Sequence, residues 1–147
     1  MSFFNSMNVS ASGMTAQRLR TDIISQNLAN INTTRDENGD PYVRKTVVFA
    51  EKSSSNFGAI FNKAIGHTGN GVKVVKIVED TKTDMKMVYD PSHPDADADG
   101  YVTYPNVDTV TEMTNMIDAS RAYEANVTAF NASKNMLLKT LEIGQKA

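Results

Sequence analysis

The chain has 147 residues, a formal net charge of −2, 40% hydrophobic residues and 22% charged residues. This length allows one ordinary domain, and this composition excludes a chain that is disordered throughout. The near-neutral charge, without a basic patch, argues against a nucleic-acid-binding protein that depends on bulk electrostatics. Because the chain contains no cysteine, it has neither a disulfide framework nor a thiolate metal site.

The start of the chain carries no secretory signal. Residues Met1 to Gly13 lack both a positively charged segment and an apolar segment of the kind that a signal peptide requires. No apolar run approaches the roughly 18 residues that a membrane span needs. We therefore expect a protein that does not span a membrane and that either stays in the cytosol or is exported without cleavage.

A helix is predicted from about Asn5 to Ile31, because apolar residues recur there at helical spacing. Its apolar positions are Val9, Met14, Ala16, Leu19, Ile23 and Leu28. Gln26, Asn27 and Asn30 interrupt this face. These amides either point to water, or they are buried and fix the register between helices at some cost in stability.

The middle of the chain is predicted to be rich in β-structure. Asn38-Gly39 and Asp40-Pro41 mark a turn in the loop of residues 32–41. Four extended segments follow, because β-branched and aromatic residues concentrate in Tyr42–Phe49, Val72–Val78, Met85–Tyr89 and Gly100–Tyr104. Phe57 to Ile65 shows helical spacing and is predicted to form a short helix or a closely packed loop.

The last forty residues are predicted to form one long helix with a heptad apolar stripe. No proline or glycine occurs between Val107 and Ile143. One set of positions, seven residues apart, is Met113, Ser120, Val127, Lys134 and Leu141, and a second set is Met116, Tyr123, Phe130 and Leu137, with Ile117 and Leu138 widening the face. Such a stripe requires a partner helix, which favours assembly over catalysis.

The start of this helix carries two candidate caps. Thr109 followed by Glu112 matches a capping box, and Asp108 is an alternative N-cap. The predicted fold class is therefore α+β, with long N- and C-terminal helices in a coiled-coil-like core that flank a small β-rich middle. The predicted segments are 1–34, 35–107 and 108–147, with a variable insertion near 51–67.

Candidate metal and catalytic groups are sparse. Asp95-Ala96-Asp97-Ala98-Asp99-Gly100 resembles the first half of a calcium loop, but Asn106 stands where a bidentate glutamate is required. The favoured interpretation is a solvated acidic turn, and calcium binding is a minor alternative. His67 and His93 cannot form a zinc site without further ligands. No catalytic residue, cofactor site or metal site is predicted.

Several motifs resemble those of flagellar rod, hook and hook-associated proteins. The N-terminal ones are Ser12-Gly13-Met14-Thr15-Ala16-Gln17-Arg18 and Ile24-Ser25-Gln26-Asn27-Leu28-Ala29-Asn30. The others are Gly100-Tyr101-Val102 with Pro105-Asn106-Val107-Asp108, Ala119 to Val127, and Lys139 to Gly144. Together they resemble the rod proteins of the flagellar basal body, with matching pieces from about Val9 to Gly144. Glu51 to His67 carries no matching signature.

The resemblance implies a non-enzymatic structural subunit of the bacterial flagellar rod, at the proximal end. It implies export through the flagellar type III channel without cleavage, and helical assembly in a rod that crosses the periplasm and transmits torque. The implied partners are copies of the chain, other rod subunits, the basal-body rings and the export apparatus, without nucleic acid or any cofactor. The alternative is a small cytosolic coiled-coil module for binding or a chaperone-like role.

The residues expected at subunit interfaces combine the heptad stripe with the face of the first helix. They are Met14, Leu19, Ile23, Asn27, Leu28, Asn30, Met113, Met116, Ile117, Tyr123, Val127, Phe130, Leu137 and Leu141.

Overall fold

Two long helices begin and end the computed structural model, which describes residues 3–36, 39–52, 61 and 70–145. Helix α1 covers Phe3–Ala29 and helix α2 covers Thr109–Gln145, with 27 and 37 residues. At about 1.5 Å per residue, α2 is roughly 55 Å long. A helix of this length is stabilised chiefly by whatever packs along its faces, because intrinsic propensity alone contributes little.

Four strands lie between the helices in two small sheets. Strand β1 (Lys45–Glu51) pairs with β2 (Val72–Glu79), and β3 (Lys86–Tyr89) pairs with β4 (Tyr101–Tyr104). The second pair is antiparallel, with Val88 opposite Val102 and Tyr89 opposite Tyr101. The Tyr89 and Tyr101 rings meet edge to face with centroids 5.3 Å apart.

The α+β prediction is confirmed, since two long helices flank a small β-rich middle. The two long predicted helices, and the three predicted strands from Val72 onward, agree with the observed elements within a few residues. The predicted strand Tyr42–Phe49 begins too early, because β1 starts at Lys45. The helix or loop predicted between Phe57 and Ile65 lies outside the described residues except for Phe61. The three-segment division stays a prediction.

Asp108 is the N-cap of α2. Its Oδ2 accepts hydrogen bonds from the Thr111 main-chain N–H at 2.9 Å and from the Thr111 hydroxyl at 2.7 Å. The predicted capping box of Thr109 and Glu112 is wrong, because the Glu112 carboxylate bonds Arg44 and Asn27 instead. The alternative cap, Asp108, is the one the structure uses.

The cap makes a pH-dependent contribution to stability. The Thr111 hydroxyl and, next, the Thr111 N–H lower the pKa of Asp108 below its ordinary value. A carboxyl whose pKa is lower in the folded state stabilises the fold above the unfolded pKa, and this contribution is lost as pH falls through the folded pKa. We therefore expect Asp108→Ala to lower the urea midpoint at neutral pH, with a smaller loss near pH 3, the control being Asp108→Asn. Asparagine still caps but does not titrate, so its midpoint should fall less steeply with acid than that of the parent chain.

The chain divides into two compact units, each described by itself. Unit 1 comprises Met1–Leu19, Val48–Lys76 and Ala119–Ala147, and unit 2 comprises Arg20–Val47 and Ile77–Asp118. Among the described residues of unit 1, the buried side chains are all small: Ser10, Ala16, Ala119 and Ser133. In unit 2 the buried set includes larger apolar residues and three polar ones: Ile23, Ile24, Val102, Val107, Asn27, Asn106 and Glu112.

Candidate functional site

A buried amide organises the polar interior of unit 2. Asn27 is 1% exposed. Its Nδ2 donates to the Lys45 main-chain oxygen at 2.8 Å and to Glu112 Oε2 at 2.9 Å. Its Oδ1 accepts from the Lys45 N–H and from the Tyr42 hydroxyl, both at 2.9 Å. All four hydrogen bonds that an asparagine amide can make are therefore formed.

Glu112 supplies a buried charge beside this amide. The side chain is 1% exposed, and its Oε1 accepts from Arg44 Nη2 at 2.6 Å and from Arg44 Nε at 2.9 Å. A buried carboxylate is tolerated only where an opposite charge and hydrogen bonds replace water. Arg44 and Asn27 provide both, which is why this acid can lie inside the unit.

Asn106 extends the network to the main chain. Its Oδ1 accepts from the Arg44 N–H at 2.9 Å, and its Nδ2 donates to the carbonyl oxygens of Asp80 at 2.7 Å and Thr83 at 3.1 Å. Arg44 Nη1 also lies 3.4 Å from Asp80 Oδ2. Asn27, Arg44, Glu112 and Asn106 are called the polar cluster below. Its hydrogen bonds connect α1, the residue before β1, the residue after β2 and the first turn of α2.

Tyr42 completes the cluster's hydrogen bonding. Burial, followed by the negative charges of Glu112 and Glu79, raises the pKa of its hydroxyl. The phenol therefore keeps its proton over the physiological range and can donate to Asn27. The Lys45 ammonium lies 5.5 Å from the centre of the Tyr42 ring, within the range of a cation–π contact.

The helices of unit 1 approach each other through small and polar residues. Ser6 Oγ donates to Ser133 Oγ at 3.2 Å. A Cβ added at Gly13 would lie 2.6 Å from Asn126 Oδ1, so only glycine fits that contact. Ser12 Oγ donates to the Val9 carbonyl at 2.7 Å and accepts from the Val72 N–H at 3.1 Å. Little apolar surface is buried in these contacts, so the hydrophobic effect gives them little support.

The Gly13 contact yields a test by compensation. Alanine in a helix interior is normally about 1 kcal/mol more stable than glycine. Here we expect Gly13→Ala to destabilise by about 1–3 kcal/mol, because the added methyl group strikes the Asn126 amide. Asn126 cannot simply turn away, since its Nδ2 donates to the Ala122 carbonyl at 2.7 Å.

Urea unfolding of the single and double variants measures this effect. In an Asn126→Ala background the obstruction is gone, so Gly13→Ala should become neutral or stabilising. A Gly13→Ala chain more stable than the parent would contradict the close approach.

The residues predicted on α1 are half-buried or buried. Ile23 and Asn27 are buried, whereas Met14, Leu19, Leu28 and Asn30 are half-buried. Each of the two interpretations of the amides holds for a different residue. Asn27 is a buried amide in the polar cluster, whereas Gln26 is exposed, and Asn30, the residue after α1, donates to the Gln26 carbonyl.

Part of the apolar stripe of α2 is exposed. Met113, Ile117, Tyr123 and Leu141 are exposed, by 55, 53, 40 and 58%, and Met116, Val127, Phe130 and Leu137 are half-buried. The most buried positions on α2 are Glu112, Ala119 and Ser133. Each of them comes one residue before a position of the predicted stripe, namely Met113, Ser120 and Lys134. The assignment of the stripe to subunit interfaces stays a prediction.

Sequence reasoning missed the members of the polar cluster other than Asn27. The sequence assigned Glu112 to a capping box and Arg44 to a strand. It assigned Asn106 to a motif shared with rod proteins. The usable signals were a basic residue inside a predicted strand and an amide on the apolar face of a predicted helix, which together indicate a satisfied polar interior.

The acidic turn is occupied by hydrogen bonds from the protein. Asp95 pairs with Arg35 at 3.3 Å and accepts from the Thr34 hydroxyl at 2.8 Å. Asp97 Oδ1 accepts from the N–H groups of Asp99 and Tyr101. Within the described ranges, no group of three or more acidic or histidine side chains is placed to hold a metal ion. In the same part of the chain, no helix has the length and apolarity that crossing a membrane requires.

Comparison with known proteins gives matches over the whole chain. Residues 7–35 match the family model described as flagella basal body rod protein, and residues 98–143 match the flagellar basal body rod FlgEFG protein C-terminal model. The chain is 53% identical to the flagellar basal-body rod protein FlgC of Bacillus subtilis (strain 168), over 99% of this chain and 100% of the relative. It is 45% identical to FlgC of Borreliella burgdorferi, over 99% of each chain, and 40% identical to FlgC of Salmonella typhimurium, over 99% of this chain and 100% of the relative.

Proposed function

The chain belongs to the FlgC family of flagellar basal-body rod proteins, and from this premise we propose that its helices assemble with copies of itself and with other rod subunits to transmit torque. It is a structural subunit of the proximal rod of the bacterial flagellum. The single observation that supports the assembly mode is the apolar face that α2 leaves uncovered within the chain.

The energetics of the two helices support this assignment. Within unit 1, the described buried side chains are serine and alanine, while Tyr123, Met136, Leu138, Leu141 and Ile143 on the same helix are 40–70% exposed. At about 25 cal/mol per Å² of apolar surface, covering such residues stabilises an interface by several kcal/mol. Contacts with neighbouring subunits would therefore bury apolar surface on α2 that the chain by itself leaves exposed.

The proposed interface comprises the fourteen residues expected from the sequence. The exposed members on α2 are Met113, Ile117, Tyr123 and Leu141. They would contact neighbours directly, whereas the half-buried members would contribute their outer edges. Ile23 and Asn27 are buried within unit 2. Their part in the interface would be to hold α1 in place.

The remaining parts of the proposal concern the surroundings of the rod. The chain would be located in the flagellar basal body, in a rod that crosses the periplasm, after export without cleavage. The basal-body rings and the export apparatus would be its further partners. Its role would be structural and not enzymatic, without nucleic acid or a cofactor.

Deletion of the gene tests the function as a whole. We expect nonmotile cells that form basal rings but no complete rod by electron microscopy, with rods restored by the intact gene. Motile deletion cells with normal rods would refute the proposal. A protein that stays in the cytosol, and deletion cells with intact flagella, would instead support the alternative of a small cytosolic coiled-coil module.

A further inference from the structure

In the first turns of α2, a charged side chain is buried and large apolar side chains are exposed. Glu112 is 1% exposed, whereas Val110, Met113 and Ile117 are 72, 55 and 53% exposed. Successive residues of an α-helix are about 100° apart. With Glu112 facing inward, Val110 and Ile117 therefore lie on roughly the opposite side of the helix and Met113 lies to one side. The charged residue is inside, and three large apolar residues are outside.

Hydrophobic burial by itself favours the opposite orientation of this helix. A fully buried valine, methionine or isoleucine side chain gains about 1.5–3 kcal/mol relative to an exposed one. A rotation that buried Val110 and Ile117 would expose Glu112 to water, where an isolated carboxylate is most stable. Something must therefore oppose the rotation, and the polar cluster is placed to do so.

The cluster can act as such a constraint because its bonds depend on direction. Arg44 reaches Glu112 Oε1 with Nε and Nη2, and Asn27 reaches Oε2 of the same carboxylate. Both oxygens of Glu112 are thus fixed, from two different parts of the chain. A rotated α2 would leave the Arg44 guanidinium, itself bonded to Asp80, without its main counter-ion. Buried polar groups that fix the register or orientation of helices, at some expense of stability, are an established device.

We propose that Glu112, held by Arg44 and Asn27, is the positioning residue that fixes the rotation of α2, so that Val110, Met113 and Ile117 face the neighbouring rod subunit. This inference rests on the proposed function for the identity of the neighbour. The rotation itself is a property of the isolated chain, and it can be measured without any rod.

Cysteine labelling of the purified full-length chain measures the rotation. The chain contains no cysteine, so Met116→Cys and Ile117→Cys each introduce a single thiol, on the inner and outer sides of α2. Both replaced residues are apolar and neighbouring, which makes them a matched pair. In the parent chain we expect the thiol at 117 to react faster than the thiol at 116 by about tenfold or more, as local protection differs between the two sides.

The apolar double variant Arg44→Met/Glu112→Leu separates positioning from stability. Replacing a buried ion pair with apolar residues of similar size is often neutral or stabilising. The double variant should therefore stay helical by circular dichroism, while the ratio of labelling rates falls toward about one as α2 turns. A ratio equal to that of the parent would overturn the proposal, as would fast labelling at both positions in the parent chain.

Two further variants keep the test decisive. If the double variant loses its helical signal, Arg44→Met alone is compared, since it leaves the sequence of α2 unchanged and must also lower the ratio. Glu112→Asp retains the negative charge and both carboxylate oxygens as acceptors for Arg44 and Asn27, so its ratio should stay above that of the double variant. An unchanged ratio in Arg44→Met would overturn the proposal, and so would a ratio near one in Glu112→Asp.

Complementation of the deletion strain links the rotation to assembly. Glu112→Asp should restore rods, whereas the helical double variant should not. Rods restored by the double variant to the parental level would overturn the positioning role. If deletion itself left rods intact, the proposed function would fail, but the labelling ratios would still decide whether the polar cluster sets the rotation.

Discussion

Asn27→Leu is expected to destabilise the isolated chain by about 3–5 kcal/mol, a large part of the roughly 5–15 kcal/mol that stabilises a typical domain. Leucine has the branched shape of asparagine, with a somewhat larger volume, but can neither donate nor accept a hydrogen bond. The substitution would leave the N–H and carbonyl of Lys45, the Tyr42 hydroxyl and Glu112 Oε2 without their Asn27 partner. Urea unfolding followed by circular dichroism measures the loss.

The neighbouring amide supplies the control. Gln26 is exposed on the same helix, so Gln26→Leu is expected to change the free energy of unfolding by no more than about 0.5 kcal/mol. Asn27→Asp keeps the shape of the side chain but sets a second carboxylate against Glu112, so it should destabilise the chain as well. Equal stabilities for the Asn27→Leu and Gln26→Leu chains would show that the polar cluster contributes nothing to the fold.

The elements of the fold follow from local patterns in the sequence. Helical spacing predicted α1 and α2, and β-branched residues from Val72 onward predicted β2, because these signals are repeated over many residues. The start of β1 was misplaced by three residues. Tyr42 and Val43 favour strands, but the Tyr42 hydroxyl and the Arg44 N–H bond Asn27 and Asn106, which are distant in sequence. Tertiary contacts of this kind override propensity.

The inner face of α2 was harder to predict than the helix itself. A heptad pattern counts large apolar residues, so it selects Met113 and Leu141 over their neighbours. The structure buries Glu112, Ala119 and Ser133 instead. Close approach of two helices favours small side chains, as at Gly13 beside Asn126. A charged side chain can be buried where an oppositely charged side chain pairs with it. Neither condition is visible without knowing which residues face each other.

The exposed part of the apolar stripe of α2 is suited to contacts with other subunits. Met113, Ile117, Tyr123 and Leu141 of the stripe are 40–58% exposed, and exposed apolar patches of this kind mark interaction sites. A helical, head-to-tail interface does not close on itself. The apolar face of one chain, set against a different surface of the next chain, can therefore join successive subunits of a rod.

Leu141→Asp is expected to abolish rod assembly while it leaves the isolated chain folded. Leu141 is 58% exposed, so a charge there stays in water in the free chain and should change the free energy of unfolding by about 0.5 kcal/mol or less. In the assembled rod the same carboxylate would be buried among apolar side chains, at a cost of several kcal/mol. Phe130 and Leu137 are half-buried, so a charge at either would also disturb the fold of unit 1.

Thr140→Asp provides the matched control, because it introduces the same charge one residue away at an exposed position outside the predicted stripe. Both variants meet the negative end of the α2 dipole to a similar extent, so that effect cancels between them. Motility and electron microscopy of basal bodies in the complemented deletion strain are the measurements. Complete rods with Thr140→Asp and none with Leu141→Asp would support the outer face of α2 as the contact between subunits, whereas complete rods with both would remove Leu141 from the interface.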